Sequence, residues 1–337
     1  MIVSGSTWRR LAAIGLAVLT VSACSSNDAN EDGANQTEKV TYVTGFGATG
    51  QESFAWVAKE KGYFQKAGLD VDIQLGAGSD NNLKLVTSGQ AQFSHIDMTG
   101  GIISAGTGTF KDIKFIAATH QRTLVSIISV EGYGITTPKD LEGKKIAAAT
   151  GSVNQKLFPA YAKLAGIDAN KVTFENAQAA QVVPLVAQHK VDAIGNFLLR
   201  RPDVEKASGK KAVVLPYSDF LSDLYGGAIV TSDKVAKEKP ELAKRFQEAL
   251  MEGLEYTIAH PDEAGQILHK YQQASDATVA ADEVKLMAPY STAEPIGTFS
   301  QQRVARGIAL IQASGLIPSG LTPEGIVDFD AIPQGAS

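Results

Sequence analysis

The amino-acid sequence predicts an α/β protein of two lobes, and three observations support this class. From residue 40 onward, short runs of β-branched and apolar residues alternate with segments of helical periodicity, which is typical of largely parallel sheets. The chain has 337 residues, more than the roughly 100 to 200 that one core usually holds. Near the middle, Gly132, Gly134 and Pro138 form a cluster of helix and strand breakers, where a second lobe can begin.

The individual elements follow one another in order along the chain. Gly62 and Gly89 mark the ends of the first two helices, as glycine commonly does. Residues 240–259 place apolar side chains at four-residue spacing with charged residues between them, which indicates an amphipathic helix packed on a lobe. We expect strands at residues 40–44, 71–75, 93–96, 113–119, 124–130, 145–149, 172–175 and 191–197, and helices at 51–61, 82–88, 152–165, 181–188 and 240–259, with one more opened by Pro261.

The first 39 residues carry signals for export and anchoring. Residues 1–23 contain Arg9 and Arg10 followed by a short apolar run, the pattern of a signal peptide, because a membrane span needs about 20 apolar residues. Residues 21–24 (VSAC) resemble the bacterial lipobox, which implies that Cys24 carries the lipid, including palmitate, after cleavage. Residues 24–39 would then be a lipidated tether on the outer face of the cell membrane. The alternative is a chance cysteine beside an ordinary cleavage site.

Composition excludes several classes of function. Cys24 is the only cysteine, so disulfide frameworks, cysteine zinc sites and iron–sulfur clusters are not expected. The formal net charge of −5 and the scattered basic residues argue against a nucleic-acid partner. The five histidines show no HxxxH or HExxH spacing, so we expect no metal and no cofactor.

Several segments resemble the ABC-importer binding proteins of the nitrate, sulfonate, taurine and thiamine-pyrimidine-precursor group. They span most of the chain after the tether, and they are residues 60–71 (EKGYFQKAGLDV), 85–93 (LVTSGQAQF), 138–147 (PKDLEGKKIA), 191–193 (VDA) and the 240–264 region. The resemblance implies a type II periplasmic-binding-protein fold, in which each lobe is a mixed sheet flanked by helices and the chain crosses between lobes twice. It also implies a monomer with a small ligand in the cleft and a membrane permease with its ATPase as partners.

This resemblance assigns residues 40–131 with 226–337 to lobe 1 and residues 132–225 to lobe 2. Two positions depart from the group's pattern. Gln92 stands where Asp is usual, and residues 45–50 differ from the Asn-Thr-Asn-His-like stretch of the pyrimidine-precursor proteins. The ligand therefore stays open among a sulfonate, taurine, nitrate, an aromatic acid and a pyrimidine-type compound.

Ligand contacts are expected at the carboxyl ends of the strands, where α/β proteins form their clefts. The backbone N–H groups of the glycine-rich loop 45–50 and of residues 150–152 can face a ligand there, although Ser152 also suits a simple N-cap. Phe46, Phe197 and Tyr225 can stack on a planar ring, or belong to the core. The predicted ligand-binding residues are Phe46, Gly47, Asn81, His95, Asp97, Gln121, Thr150, Gly151, Ser152, Asn196, Phe197 and Tyr225.

An enzyme on a related fold is the main alternative. Residues 45–50 (GFGATG) are formally a GxGxxG dinucleotide motif, but residues 75–78 (LGAG) offer no acid for a ribose at the end of the next strand. A pyrimidine-transforming protein is the second such enzyme, and the fungal synthase of this fold has a cysteine-rich run that is absent here. A signalling receptor using the same cleft is a third hypothesis. We see no catalytic motif and therefore expect a binding protein, not an enzyme.

Overall fold

The computed structural model describes residues 37–333. The predicted signal peptide and Cys24 lie outside the described residues, as does most of the predicted tether. The first strand begins at Glu38, so the last two residues assigned to the tether belong to the fold. Within residues 37–333, no helix combines the length and the apolar composition that crossing a membrane requires.

Ten strands and thirteen α-helices make up the described part of the chain. The strands are β1 (Glu38–Val43), β2 (Leu69–Gln74), β3 (Phe93–Asp97), β4 (Ile113–Ala118), β5 (Val125–Val130), β6 (Lys145–Ala149), β7 (Thr173–Ala177), β8 (Ala193–Phe197), β9 (Ala212–Pro216) and β10 (Gly227–Ser232). The helices are α1 (Ser53–Glu60), α2 (Tyr63–Lys66), α3 (Ser79–Thr87), α4 (Met98–Gly106), α5 (Val153–Ala165), α6 (Val182–Ala187), α7 (Arg201–Ser208), α8 (Asp233–Glu238), α9 (Pro240–Ala259), α10 (Pro261–Tyr271), α11 (Ala277–Ser291), α12 (Gln301–Ala313) and α13 (Pro323–Ile326).

The strands form two mixed sheets of five, and each sheet is the centre of one lobe. Lobe 1 has the strand order β2-β1-β3-β10-β4, with β10 antiparallel to both of its neighbours. Lobe 2 has the order β7-β6-β8-β5-β9, with β5 antiparallel to both of its neighbours. The two sheets thus share one plan, in which a single strand runs against the others.

The core of lobe 1 is built where helix α9 packs on the sheet. Its apolar stripe is buried as the four-residue spacing predicts, and Pro240 occupies the first turn, where a missing N–H costs nothing. The Phe246 ring stacks on Phe93 at 4.0 Å and on Phe64 at 5.6 Å between centroids. Aromatic burial of this kind anchors the helix to the sheet beneath the cleft.

The two lobes are joined by a pair of crossovers that hydrogen-bond to each other. The first crossover, residues 119–124, connects β4 to β5, and the second crossover, residues 217–226, connects β9 to β10. Gly226 N donates to His120 O at 3.1 Å, and Thr123 N donates to Leu224 O at 2.9 Å. These bonds make the crossovers behave as one two-stranded hinge.

One strand lies on the other side of the expected lobe boundary. The segment Val125–Val130 was assigned to lobe 1, but it pairs with β8 and β9 in lobe 2. All six of its residues are buried, as expected of a central strand covered on both faces. The breakers Gly132 and Gly134 adopt left-handed conformations in the turn after this strand, so they end a strand of lobe 2 and do not open the lobe.

Candidate functional site

The cleft between the lobes is bounded by the carboxyl edges of both sheets. The first crossover leaves the carboxyl end of β4, and the second leaves the carboxyl end of β9. Because β5 and β10 run antiparallel to their neighbours, each crossover arrives at the same edge of the next sheet. The loops that follow β1, β3, β6 and β8 therefore face one another, at the position where open α/β sheets bind ligands.

The loop after β1 holds an aromatic side chain out into solvent. Gly47 N donates to Gly76 O at 2.9 Å, and Phe46 pairs with Ala77 in an isolated antiparallel bridge. Gly47 has φ of 65°, a left-handed conformation that favours glycine. Phe46 is 61% exposed, which leaves its ring available to stack on a planar ligand at the edge of the cleft.

The amides of this glycine-rich loop are largely used within the protein. Gly50 N donates to the buried carboxylate of Glu283 at 2.5 Å, and Gly47 N is bonded to Gly76 O. The expectation that these N–H groups face a ligand is therefore wrong for Gly47 and Gly50. Helix α11 takes up the Gly50 amide, and it packs so closely that a Cβ on Gly50 would lie 2.1 Å from Ala280 O.

The side chain that holds the loops at this end of the cleft together is Asn82, whereas the predicted ligand contact was its neighbour Asn81. Asn82 Nδ2 donates to Thr44 O at 2.8 Å and to Gly45 O at 3.1 Å, and its Oδ1 accepts from Ala77 N at 3.2 Å. Asn82 is buried, whereas the predicted Asn81 is exposed. The helical turn of α3 directs the second asparagine inward. Predicting this orientation would have required the exact first residue of α3.

Asp97 lies at the carboxyl end of β3 and begins helix α4. Its Oδ1 accepts from Gly100 N at 2.9 Å, which is the bond of an N-cap. A Cβ on Gly100 would lie 3.7 Å from both Asp97 Oδ1 and Ser79 Oγ, so these two polar groups share the cleft edge. Burial raises the pKa of Asp97 to about 6, and a carboxyl group perturbed in this way within a cleft is a candidate ligand contact.

Replacing Asp97 by asparagine is expected to stabilise the protein at pH 8 and to have little effect at pH 4. Asparagine still caps the helix, but it removes a charge that folding desolvates. The pKa rises from 3.8 to about 6 on folding, so the stability of the wild type falls as pH rises through this window. At about 1.4 kcal/mol per pH unit, reduced by partial exposure, the gain is about 1–3 kcal/mol. Urea unfolding at both pH values measures it, and equal gains at both would contradict the assignment.

His95 lies beneath the cleft, within a buried chain of polar groups. His95 Nδ1 is 2.7 Å from Glu52 Oε1, and His95 Nε2 is 2.8 Å from Thr119 Oγ1. His95, Glu52 and Thr119 are at most 1% exposed. A Cβ on Gly227 would lie 2.2 Å from His95 Nε2, so a glycine is needed to accommodate this chain. His95 therefore supports the cleft floor from below, where solvent does not reach it.

His120 continues the buried chain into the first crossover. Gly227 N donates to His120 Nδ1 at 3.0 Å, so the proton of the ring lies on Nε2. Burial, reinforced by His95, keeps the pKa of His120 well below its usual value, and the ring is neutral. Among the described residues Nε2 has no hydrogen-bond partner.

The opposite wall of the cleft is the loop that follows β6. Thr150 and Gly151 are exposed, and Gly151 is left-handed with φ of 71°. Ser152 stands at the N-cap of α5 without a capping bond from its side chain, and its buried Oγ has no partner among residues 37–333. Ser152 therefore occupies the predicted N-cap position without making the capping bond, and its hydroxyl is buried within lobe 2.

The remaining predicted residues divide between the cleft and the hinge. Asn196 is half-buried, and its Oδ1 accepts from Phe197 N at 2.8 Å, while Phe197 packs against the core. Tyr225 is buried and its hydroxyl accepts from Ser300 N at 2.9 Å. Gln121 Nε2 donates to Thr298 O at 3.0 Å. Tyr225 and Gln121 thus belong to the hinge, and their side chains are engaged there.

The described residues bring part of the predicted set together. Phe46, Gly47 and Asp97 lie at the edge of lobe 1, and the exposed Asn81 is beside them on α3. Thr150, Gly151, Ser152 and Asn196 lie at the facing edge of lobe 2. Across residues 37–333, no three His, Cys, Asp or Glu side chains cluster closely enough to hold a metal ion.

Two mixed sheets joined by paired crossovers define the two-lobe periplasmic-binding-protein fold, and a solved structure confirms the class. The periplasmic aliphatic sulphonate binding protein SsuA from Escherichia coli is similar with a TM-score of 0.71 and 16% sequence identity. The similarity covers 89% of this chain and 94% of that one.

The chain belongs to the NMT1/THI5-like family, whose model matches residues 51–264. It is 24% identical over 256 residues to the formylaminopyrimidine-binding protein of Halalkalibacterium halodurans, covering 75% of this chain and 76% of the relative. It is also 23% identical over 246 residues to the 4-amino-5-hydroxymethyl-2-methylpyrimidine phosphate synthase THI11 of Saccharomyces cerevisiae, covering 68% and 69%. The resemblance predicted from the sequence motifs is confirmed at the level of the family.

Proposed function

We propose that this protein is the exported solute-binding component of an ABC importer, which captures a small nutrient between its lobes and delivers it to a permease and its ATPase. The observation that carries this proposal is the meeting of two carboxyl sheet edges across a cleft, between lobes that are joined by paired crossovers. Such a hinge lets a ligand that contacts both lobes shift the population toward a closed form. The sulphonate- and pyrimidine-binding names of similar proteins support the same class.

Within the candidate ligands, the cleft favours a planar ring that carries hydrogen-bonding groups. Phe46 offers an exposed ring face. Asp97 at the edge of lobe 1 can accept from a ligand N–H or O–H, and the exposed Thr150 supplies a hydroxyl group on lobe 2. A pyrimidine-type compound with amino groups uses all three features, as does an aromatic acid whose ring also carries a hydroxyl or amino group, whereas nitrate and taurine have no ring to place on Phe46.

A thermal-shift screen of the purified protein tests this function. The panel contains pyrimidines, aromatic carboxylates, flavins, sulfonates, taurine and nitrate. A true ligand at 100 times its Kd adds about 2.7 kcal/mol of stability, which is readily measured. We expect the largest shift from a planar ring compound. A protein that responds to none of them would contradict this proposal.

Replacing Phe46 by alanine is expected to weaken binding of that ring compound about tenfold, the loss of one aromatic contact of about 1.4 kcal/mol. The free energy of unfolding should change by less than about 0.5 kcal/mol, because the side chain is exposed. Calorimetric titration measures the affinity. Leu164→Ala is the matched control, since Leu164 is 53% exposed near the far end of α5, and equal losses in both variants would remove Phe46 from the site.

The export and anchoring assigned to residues 1–24 belong to the same proposal. The sole cysteine follows a small-residue run after two arginines, and acyl chains contribute about 0.8 kcal/mol for each buried CH₂. Cys24→Ala is expected to move the protein from the membrane fraction to the soluble fraction while its ligand affinity is unchanged. Fractionation with immunoblotting checks this, and a variant that stays on the membrane would disprove the lipid anchor.

An enzyme on this fold is the second candidate, because the family includes the yeast synthase. The chain Glu52–His95–Thr119 has the order of an acid, a histidine and a hydroxyl group, which is the arrangement of a nucleophilic triad. The Thr119 hydroxyl, however, belongs to a residue that is 0% exposed, so no substrate reaches it in this conformation. We therefore propose a binding protein. Mass spectrometry of a bound compound before and after incubation would reveal any turnover.

A further inference from the structure

Glu283 of helix α11 connects the two lobes through one buried carboxylate. Its Oε2 accepts from Gly50 N at 2.5 Å, and Gly50 belongs to the loop after β1 in lobe 1. Its Oε1 lies 3.6 Å from Nη1 of Arg200, the last residue of the short helical turn Leu198–Arg200 that follows β8 in lobe 2. Glu283 is only 3% exposed, so this ion pair is shielded from solvent far more than a pair on the surface.

The lobe 1 side of this contact is held rigidly. Helix α11 approaches so closely that a Cβ on Gly50 would lie 2.1 Å from Ala280 O. Ser275 Oγ, just before the helix, donates to Ala48 O at 2.8 Å in the same loop. Glu283 is therefore fixed to the loop of lobe 1, so its distance to Arg200 depends on where the turn Leu198–Arg200 lies relative to that loop.

On the lobe 2 side, the guanidinium group of Arg200 is also held in place by a hydrogen bond. Arg200 Nη1 is bonded to Asp203 Oδ2 at 2.7 Å, one turn further along, which orients the guanidinium. Arg200 is about one-third exposed, and it immediately precedes α7. A buried carboxylate that lost this cation would be left with its backbone partners alone, which is unfavourable.

We propose that Glu283 and Arg200 form an interlobe latch that favours the closed arrangement of the lobes and thereby sets the affinity for the ligand. The part about affinity rests on the proposed function. The latch itself does not, because it acts on the lobes without a ligand. A contact made only in the closed form raises its population, and the apparent affinity rises in proportion to the fraction of competent protein.

The test compares Arg200→Met with the wild type in the absence of any ligand. We expect a larger radius of gyration in small-angle X-ray scattering, and hydrogen exchange at residues 45–50 and 149–154 faster by about 2- to 10-fold, the range for one ion pair of partial burial. Arg200→Lys retains the cation and should restore most of the wild-type behaviour. Glu283→Gln, whose amide oxygen still accepts from Gly50 N, should open the lobes as Arg200→Met does.

The matched control is Lys145→Met, which removes an ion pair of 3.3 Å with Glu175 that lies wholly within lobe 2. It should leave the radius of gyration and the exchange rates unchanged. The latch is overturned if Arg200→Met and Glu283→Gln scatter and exchange like the wild type, or if Lys145→Met changes both quantities equally. If no compound in the thermal-shift screen binds, the proposed function is refuted. The scattering and exchange results are measured without ligand and are unaffected, so the two failures are distinguishable.

Discussion

Replacing Arg303 by methionine is expected to lower the free energy of unfolding by about 2–4 kcal/mol, from lost hydrogen bonds to a charged group. Arg303, on α12, donates through Nη2 to Gln121 O in the first crossover and to Ser222 O in the second at 3.0 Å. Its guanidinium lies 4.0 Å from the centre of the Tyr225 ring, a favourable cation–π distance. The Arg303 side chain therefore links both crossovers of the hinge. Its removal leaves the carbonyl groups of Gln121 and Ser222 without the guanidinium donor.

Urea unfolding measures this loss, and Arg306→Met is the matched control. Arg306 lies on the same helix, is more than half exposed and pairs with Asp223 at 2.9 Å, so its removal should cost less than about 1 kcal/mol. Arg303→Lys should recover only part of the stability, because an ammonium group cannot reproduce the planar fork and the stacking. If Arg303→Met were as stable as Arg306→Met, Arg303 would not stabilise the protein by linking the two crossovers.

Replacing His95 by leucine is expected to cost about 3–5 kcal/mol, because it leaves the buried carboxylate of Glu52 without its partner. Glu52 is 1% exposed, and its Oε2 already lacks a partner among the described residues. The variant also removes the contact with Thr119 Oγ1. Denaturant unfolding followed by circular dichroism gives the free energy.

Glu52→Gln separates the effect of charge from that of shape. A glutamine oxygen still accepts from His95 Nδ1, so this variant should cost clearly less than His95→Leu. The double variant Glu52→Gln/His95→Leu should likewise lose less than the sum of the single losses, since the two groups interact directly. Strict additivity would contradict the direct interaction that the 2.7 Å distance indicates.

The fold could be predicted from the sequence because its signals are local. The strand at residues 145–149, the helix at residues 152–165 and the amphipathic α9 carry their own periodicity and breakers, and the structure confirms them. The strand β10 was missed. Its sequence, GAIVTS, directly follows the second crossover. Only the pairing with β3 and β4 shows that it completes the sheet of lobe 1.

The positions of site residues could be predicted from the sequence only where the end of a strand is enough to place the residue at the cleft edge. Phe46 and Asp97 lie at the cleft edge as predicted, because each comes at the end of a recognisable strand, and their contact with a ligand stays a prediction. Gln121 also follows a predicted strand, but contacts with residues far along the chain turn Gln121 to Thr298 and Tyr225 to Ser300, both at the hinge. Arg303 and Glu283 lie on late helices with no local signal, because their roles depend on segments that are 80 or more residues away.

The proposed function requires that the cleft captures a small molecule without changing it. Native mass spectrometry of the protein, mixed with the compound that gives the largest thermal shift, tests this most directly. The account predicts one ligand per chain, of unaltered mass after prolonged incubation, with occupancy reduced in Phe46→Ala. A bound compound of changed mass, or the absence of any complex with the whole panel, would contradict it.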